Sequence, residues 1–200
     1  MRMVIVNEFM TLDGVVQAPG GADEDTSGGF EHGGWHMPYM DEVAQKEVLE
    51  GINEAGGFLL GRRTYEIFAA YWPNAPEEEQ VIAEPLNTKP KYVASRTLSE
   101  PLEWQNSTVL EGDIAEAVPA LKQEDGDGDL HVIGSSELVR ELIANDLVDE
   151  LRVMIDPLVV GGGKRVFNDD GALRPWRLVD SQVTTTGAIL ATYAPAESEA

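Results

Sequence analysis

The sequence contains no cysteine, which excludes disulfides, a thiolate nucleophile and any Cys-ligated zinc. Lysine is nearly as scarce, with five residues in a chain of 200. Fourteen basic residues stand against thirty-six acidic ones, for a formal net charge of −22. A surface so acidic repels nucleic acid and anionic membranes, so neither is an expected partner. No apolar run approaches the roughly 20 residues that span a bilayer. The opening MRMVIVNEFM has too short an apolar stretch for a signal peptide and reads directly into a strand. A cytoplasmic protein is the expectation. Acidic excess with few lysines is also the composition of a protein adapted to high salt, where screening removes the self-repulsion of the compact state; the plainer alternative is an acidic cytosolic protein.

Apolar residues make up 42% of the chain, a globular proportion, and its length suits one domain of ordinary size. We read residues 1–194 as that domain and 195–200 as a tail, with no internal repeat. The stretch Asp129–Phe167 orders the rest. Leu130–Ile133 is short and apolar enough for a buried strand, and Gly134-Ser135-Ser136 breaks it. Leu138, Val139, Leu142 and Ile143 then recur at helical spacing, and Leu151–Ile155 is a second strand. Ser135 or Ser136 can cap the helix. Earlier, Met3–Met10 reads as a central strand and Val15–His36 as a long glycine-rich loop. Asp41–Ala55 reads as a helix and Phe58–Leu60 as a strand leading into another helix. Lys91–Ala94 is a further strand, and Asp113 caps a helix that runs to Leu121. Arg174–Thr186 and Ala188–Tyr193 flank Gly187 as a closing antiparallel hairpin. Alternating strands and helices with a final hairpin predict an α/β fold with a mixed sheet.

Three loops that follow strands carry groups suited to an anionic ligand. Gly61-Arg62-Arg63-Thr64 offers a turn glycine, a helix start, a hydroxyl and two guanidinium groups. Ser95-Arg96-Thr97 adds two hydroxyls and a third guanidinium, and Gly134-Ser135-Ser136 a second helix start. Three of only nine arginines therefore fall in two short loops. In a field this negative, an anionic ligand needs such local positive sites, and arginine suits bidentate phosphate contact. Each arginine taken singly also reads as a surface ion pair with a neighbouring carboxylate. Neither a GxGxxG nor a Walker A motif occurs, so an ordinary Rossmann or P-loop site is not supported.

The motifs VIGSSELVRELI, LVDELRVMIDPLVVGGGKRVF, TLDG, LLGRRTYE and PKYVASRTL occur in an order that resembles the dihydrofolate-reductase-like family, in particular its riboflavin-biosynthesis reductase branch. The resemblance covers roughly Met1–Tyr193. It implies a three-layer fold, a mostly parallel central sheet flanked by helices, and a homodimer. It also implies an NADPH-dependent reductase acting on a pyrimidine-like or pterin-like small molecule. By the same resemblance Gly61, Arg62, Arg63, Thr64, Ser95, Arg96, Thr97, Gly134, Ser135, Ser136 and Leu138 bind the cofactor, the arginine-bearing turns facing its 2′-phosphate and pyrophosphate.

The substrate side leaves more open. Asp13 in TLDG ends the first strand and reads equally as a catalytic acid or as a turn-stabilising residue before Gly14. Asp41 follows Trp35–Met40 in a segment similar to the acid-bearing one of true dihydrofolate reductases, and reads also as a plain helix N-cap. His32 and His36, in the glycine-rich loop, are expected to be solvated. Lys164 and Arg165 remain available for a ribose phosphate. The zinc signature of the deaminase half found in bifunctional relatives is missing, so this chain cannot deaminate. No metal site is expected. A true dihydrofolate reductase and a non-catalytic NADP-binding protein are the other readings.

Overall fold

The computed structural model describes residues 1–196. Along the first strand, β1 (Val4–Thr11), Val4, Val6 and Met10 point to one face of a sheet and enter its main core, while Phe9 packs on the opposite face. That two-residue alternation, buried on both sides, marks an inner strand. The remaining elements follow as α1 (Glu42–Glu54), β2 (Gly57–Gly61), α2 (Arg62–Tyr71), α3 (Gln80–Thr88), β3 (Lys91–Ala94), β4 (Ser107–Leu110), α4 (Ile114–Gln123), β5 (Leu130–Ile133), α5 (Ser136–Ala144), β6 (Glu150–Asp156), β7 (Trp176–Val183) and β8 (Ile189–Pro195). They form one eight-stranded sheet in the order β4-β3-β2-β5-β1-β6-β8-β7.

The strands from β4 to β6 run parallel, and β8 and β7 add an antiparallel edge. Parallel neighbours require crossovers, and the helices supply them on both faces. On one face Val118 and Leu121 of α4 and Leu138, Val139 and Leu142 of α5 pack on Val4, Val6, Leu59 and Val132. On the other, Ile52 of α1, Tyr65 of α2 and Leu86 of α3 pack on Phe58, Leu60 and Val93. Each fully buried Leu or Val contributes about 1.5–3 kcal/mol. The three layers and the closing hairpin are those expected from the sequence. Residues 197–200 of the expected tail lie outside the described part of the chain, while Pro195 still belongs to β8.

The long loop after β1 is not a polar excursion. Val15, Val16, Gln17, Asp25, Phe30, Trp35 and His36 are all buried within it. Gln17 Nε2 donates to the Asp25 and Ser27 carbonyls at 2.9 and 3.0 Å, and Trp35 Nε1 donates to the Gln17 carbonyl at 2.7 Å. The loop thereby folds on itself and against the segment after β6, where Val16 N–H reaches the Lys164 carbonyl at 2.9 Å.

Parallel strands bring their carboxyl ends to one edge, so the loops after β1, β2, β3 and β5 gather there. The outermost strand, β7, leaves Leu178, Val179 and Val183 about half exposed or more, at 53%, 48% and 67%. No helix among the described residues is long and apolar enough to cross a membrane.

Candidate active site

The ends of β2 and β5 lie side by side because these strands pair directly. Ser135 sits there with φ +66° and ψ +51°, left-handed backbone that a non-glycine residue rarely adopts. Its Oγ accepts a hydrogen bond from the Gly61 N–H at 2.9 Å. The approach is close: a Cβ on Gly61 would come within 3.3 Å of Ser135 Cβ and Oγ. Gly134 beside it has φ +56°, a conformation glycine takes without cost.

Of the two serines the sequence offered as a cap, Ser135 does not cap α5 with its side chain, because its hydroxyl is spent on joining two strands. Gly61, which precedes α2, has no side chain to offer. Two adjacent helices thus begin with first-turn N–H groups that receive no side-chain cap, an arrangement that favours negative charge.

Gly61, Arg62, Arg63, Thr64, Ser95, Arg96, Thr97, Gly134, Ser135, Ser136 and Leu138 all line one open cavity of about 1500 Å³. Its arginines are not unpartnered. Arg62 pairs with Glu66 at 3.0 Å and Arg96 with Glu141 at 3.4 Å, both in exposed positions. Such pairs are worth about 0–1 kcal/mol and exchange readily for a stronger anion. Arg63 reaches Asp25 of the long loop at 2.7 Å. Burial pushes Asp25 upward, but bonds from Lys164 and Ser27 outweigh it and hold the carboxyl below its ordinary range. Ser95 Oγ accepts from the N–H groups of Thr97 and Leu98 at 3.1 and 2.9 Å, which fixes the turn after β3.

Neither carboxylate singled out on the substrate side lines the cavity. Asp13 accepts from Thr11 Oγ1 at 2.7 Å, from Val160 N–H at 3.2 Å and from Gly161 N–H at 3.0 Å. The Thr11 hydroxyl foremost, with those two N–H groups, draws its pKa down to about 2 against the opposing effect of burial. Asp41 caps α1 by accepting from Ala44 N–H at 3.0 Å, and its other oxygen accepts from the N–H and hydroxyl of Thr185 at 2.7 and 2.6 Å. Both side chains hold backbone in place. Lys164 and Arg165 are likewise engaged, Lys164 Nζ with Asp25 at 2.7 Å and Arg165 Nε with the Asp13 carbonyl at 2.8 Å.

The expectation of a solvated His36 is overturned. The ring is 1% exposed and stacks on Phe9 with centroids 3.8 Å apart. Its Nδ1 lies 2.8 Å from Asp156 Oδ2, itself fully buried at the end of β6. Loop glycines predicted solvation, but Trp35 and the flanking turn carry the ring inward. His32 does stay at the surface, where it packs edge-on against Phe30.

Asn7, Glu8, Phe9, His36, Arg152 and Met154 also contribute to the cavity wall. The sequence reading missed Glu8. Burial alone raises its carboxyl to about 8, so the group is protonated at neutral pH. A signal was present: Glu8 occupies the third place in the series Val4, Val6, Glu8, Met10, where an inner strand calls for an apolar residue. His131 is buried nearby, with Nδ1 3.3 Å from Asn7 Nδ2, and burial foremost lowers its pKa to about 4. Among the described residues no group of three or more His, Asp or Glu is placed to hold a metal ion.

Residues 2–190 match the family described as the RibD C-terminal domain. The chain belongs to that family. A Bacillus subtilis protein, YyaP, described as uncharacterized, is 27% identical over 195 residues, which cover 96% of this chain and 94% of that one. Among solved structures, a putative riboflavin biosynthesis protein from Shewanella sp. PV-4 superposes with a TM-score of 0.69 at 18% identity, over 98% of this chain and all of that one. The bifunctional deaminase and 5-amino-6-(5-phosphoribosylamino)uracil reductase of Thermotoga maritima gives 0.65 at 17% identity, and the match spans only 57% of that longer chain. Dihydrofolate reductase from Enterococcus faecalis, complexed with NADP(H), gives 0.60 at 17% identity over 98% of this chain and 97% of that one. The fold of this RibD C-terminal family member is therefore dihydrofolate-reductase-like.

Proposed function

We propose that the protein is an NADPH-dependent reductase of small heteroaromatic rings, pyrimidine-like or pterin-like. The observation that carries this reading is the convergence of three separate loops, with two uncapped helix starts and three arginines, on one cavity. The residues fit an anionic dinucleotide. The helix starts after Gly61 and Ser135 carry no side-chain cap, and the exposed partners of Arg62 and Arg96 give way to phosphate at little cost. NADPH, when bound, supplies the hydride. The chain's own work is to hold the phosphates at the helix starts and to present the acceptor in the apolar part of the cavity, near Phe9, Met40 and Met154.

The place of Asp41 argues against a true dihydrofolate reductase, which needs that carboxylate facing its acceptor ring. The engagement of Lys164 and Arg165 argues against a ribose phosphate held at those two positions. We further infer a homodimer in which a second copy covers the apolar side chains of β7, and a monomer mass in light scattering would count against that.

Cofactor titration tests the main reading. A charge-assisted contact to the 2′-phosphate is worth about 1.5–3 kcal/mol, so NADPH is expected to bind at least about tenfold more tightly than NADH. Equal affinity for the two would remove it.

A further inference from the structure

Glu8 stands at the middle of the sheet, with β5 on one side of its strand and β6 on the other. Its cross-strand neighbour Val153 belongs to the main core cluster, as do Val6 and Met10 on the same face of β1. The register that sets Asn7 opposite Ile133 places Glu8 level with Gly134, the first residue of the β5 turn. The side chain is 5% exposed and borders the cavity together with Val16, Leu138 and Val153.

Among the described residues its carboxyl has no hydrogen-bond partner, and Oε1 is fully buried. The other two acidic side chains of comparable burial are both engaged, Asp25 with Arg63 and Lys164, and Asp156 with His36. A buried carboxyl that serves only structure is paired or accepts backbone N–H groups, because an unsatisfied one is costly. A leucine here would extend the core, and a glutamine would fill the same space without a titrating group. Keeping an unpartnered acid in a cavity wall makes physical sense when its partner arrives with a ligand.

We propose that Glu8 is the acid that meets the acceptor ring in the cavity, donating a hydrogen bond to the nitrogen of the reducible C=N bond and passing its proton to it. The inference rests on the reductase reading above and deepens it. As hydride from the reduced nicotinamide dinucleotide reaches the carbon, the C=N π bond becomes a lone pair on nitrogen. The Glu8 O–H bond breaks, an N–H bond forms, and Glu8 is left as a carboxylate. An unpaired carboxylate is unstable in this apolar wall, so it recovers a proton from solvent once product leaves. Neutral at rest, the acid also spares an already negative protein a further charge beside its ligand.

The test compares the wild type with Glu8→Gln and Glu8→Leu, using pterin and 5,6-diaminouracil as probes with NADP⁺ present, and isotope-labelled glutamate to follow the Glu8 carboxyl by NMR. NADPH affinity should be alike in all three proteins. At least one probe should bind the wild type and shift the Glu8 carboxyl resonance. Glu8→Leu should weaken that probe by about tenfold or more, the loss expected of one buried hydrogen bond. Glu8→Gln keeps a donor of the same shape, so it should bind the probe yet lose about 10²–10⁴ in turnover on any ring the wild type reduces. Equal probe binding by the wild type and Glu8→Leu, or turnover retained in Glu8→Gln, overturns the assignment and leaves the reductase standing. So does a wild type that binds NADPH but neither probe. A wild type that fails to bind NADPH sinks the reductase reading and this one with it.

Discussion

The two ends of the cavity solve opposite problems. At the rim, Arg62 and Arg96 lie in water beside Glu66 and Glu141, and the starts of α2 and α5 are uncapped. Those charges are held loosely and can change partners with little loss of stability. Towards the floor, Glu8 and His36, with Asp156 bonded to His36, are withdrawn from solvent, where a polar group either finds a partner or costs free energy. His36 and Asp156 satisfy each other on one side only: among the described residues His36 Nε2 and Asp156 Oδ1 are buried without partners, as is Glu8 Oε1. The rim is built for exchange, whereas the floor stores unsatisfied polarity. Substitutions at the rim should therefore move cofactor binding with little change in stability, whereas those in the floor should move stability, with Glu8 acting on the acceptor ring as well.

The largest effect expected is on the floor and depends on pH. The folded protein keeps the Glu8 proton up to about pH 8, while the unfolded chain releases it near 4.5. The stability that the group contributes is thus fully present below about pH 4.5 and is lost as pH rises towards 8. Glu8→Gln removes the titration, so the difference between variant and wild type should move in the variant's favour by about 1.4 kcal/mol per pH unit across that interval. Denaturant unfolding of both proteins at a series of pH values measures it. A difference that stays flat with pH would show that Glu8 ionises freely.

A second pair of substitutions sets the two ends directly against each other. His36→Ala removes a stacked ring and strands the Asp156 carboxylate, a change of about 1–3 kcal/mol or more. It should lower the melting temperature by several degrees and leave NADPH affinity near that of the wild type. Arg96→Ala acts on a side chain 91% exposed, so the melting temperature should hardly change. NADPH affinity should fall by about tenfold if Arg96 meets the 2′-phosphate. The reverse pattern would erase the distinction between rim and floor.

The same division explains what could be read from the sequence. The strand ends were legible because turn glycines, hydroxyls and arginines cluster locally, within four residues at Gly61–Thr64 and three at Ser95–Thr97. The βαβ order follows from short-range periodicity in the same way. The floor was not legible, because its partners are far apart in the chain. His36 and Asp156 are separated by 120 positions, and only the parallel register of β1 and β6, with the loop folded over them, brings them together. Glycines around His36 suggested solvent, yet the burial of Trp35 and Phe30 decided its place. Glu8 was visible as a break in an apolar alternation but has no local partner that would have marked it.

The smallest effects should come from the two carboxylates that sequence reasoning singled out as candidates. Asp13→Asn loses ionic acceptance from Thr11 and two backbone N–H groups, so it should weaken the β1 turn. Because the folded pKa is depressed to about 2, that contribution is present above the ordinary carboxylate value of 3.8 and disappears as pH falls through 2. Turnover on any reducible ring should remain close to that of the wild type.

Asp41→Asn should be quieter still. The cap on α1 needs an oxygen that accepts from Ala44 N–H, and an asparagine carbonyl supplies one about as well as a carboxylate does. The bonds from Thr185 are a different matter, since both donors converge on the second carboxylate oxygen, which an amide nitrogen replaces. The hydroxyl can rotate to accept instead, but the Thr185 N–H cannot. The expected result is a slightly lowered melting temperature as the hairpin turn loosens from the start of α1, with kcat/KM and NADPH affinity unchanged. Asp41→Ala should lower it further, because the cap is then lost as well. If Asp41→Asn instead cut kcat by orders of magnitude while the fold held, the carboxylate would have to leave Thr185 and turn inward during turnover. The acid that meets the ring would then be Asp41 at the rim of α1, not Glu8 in the sheet.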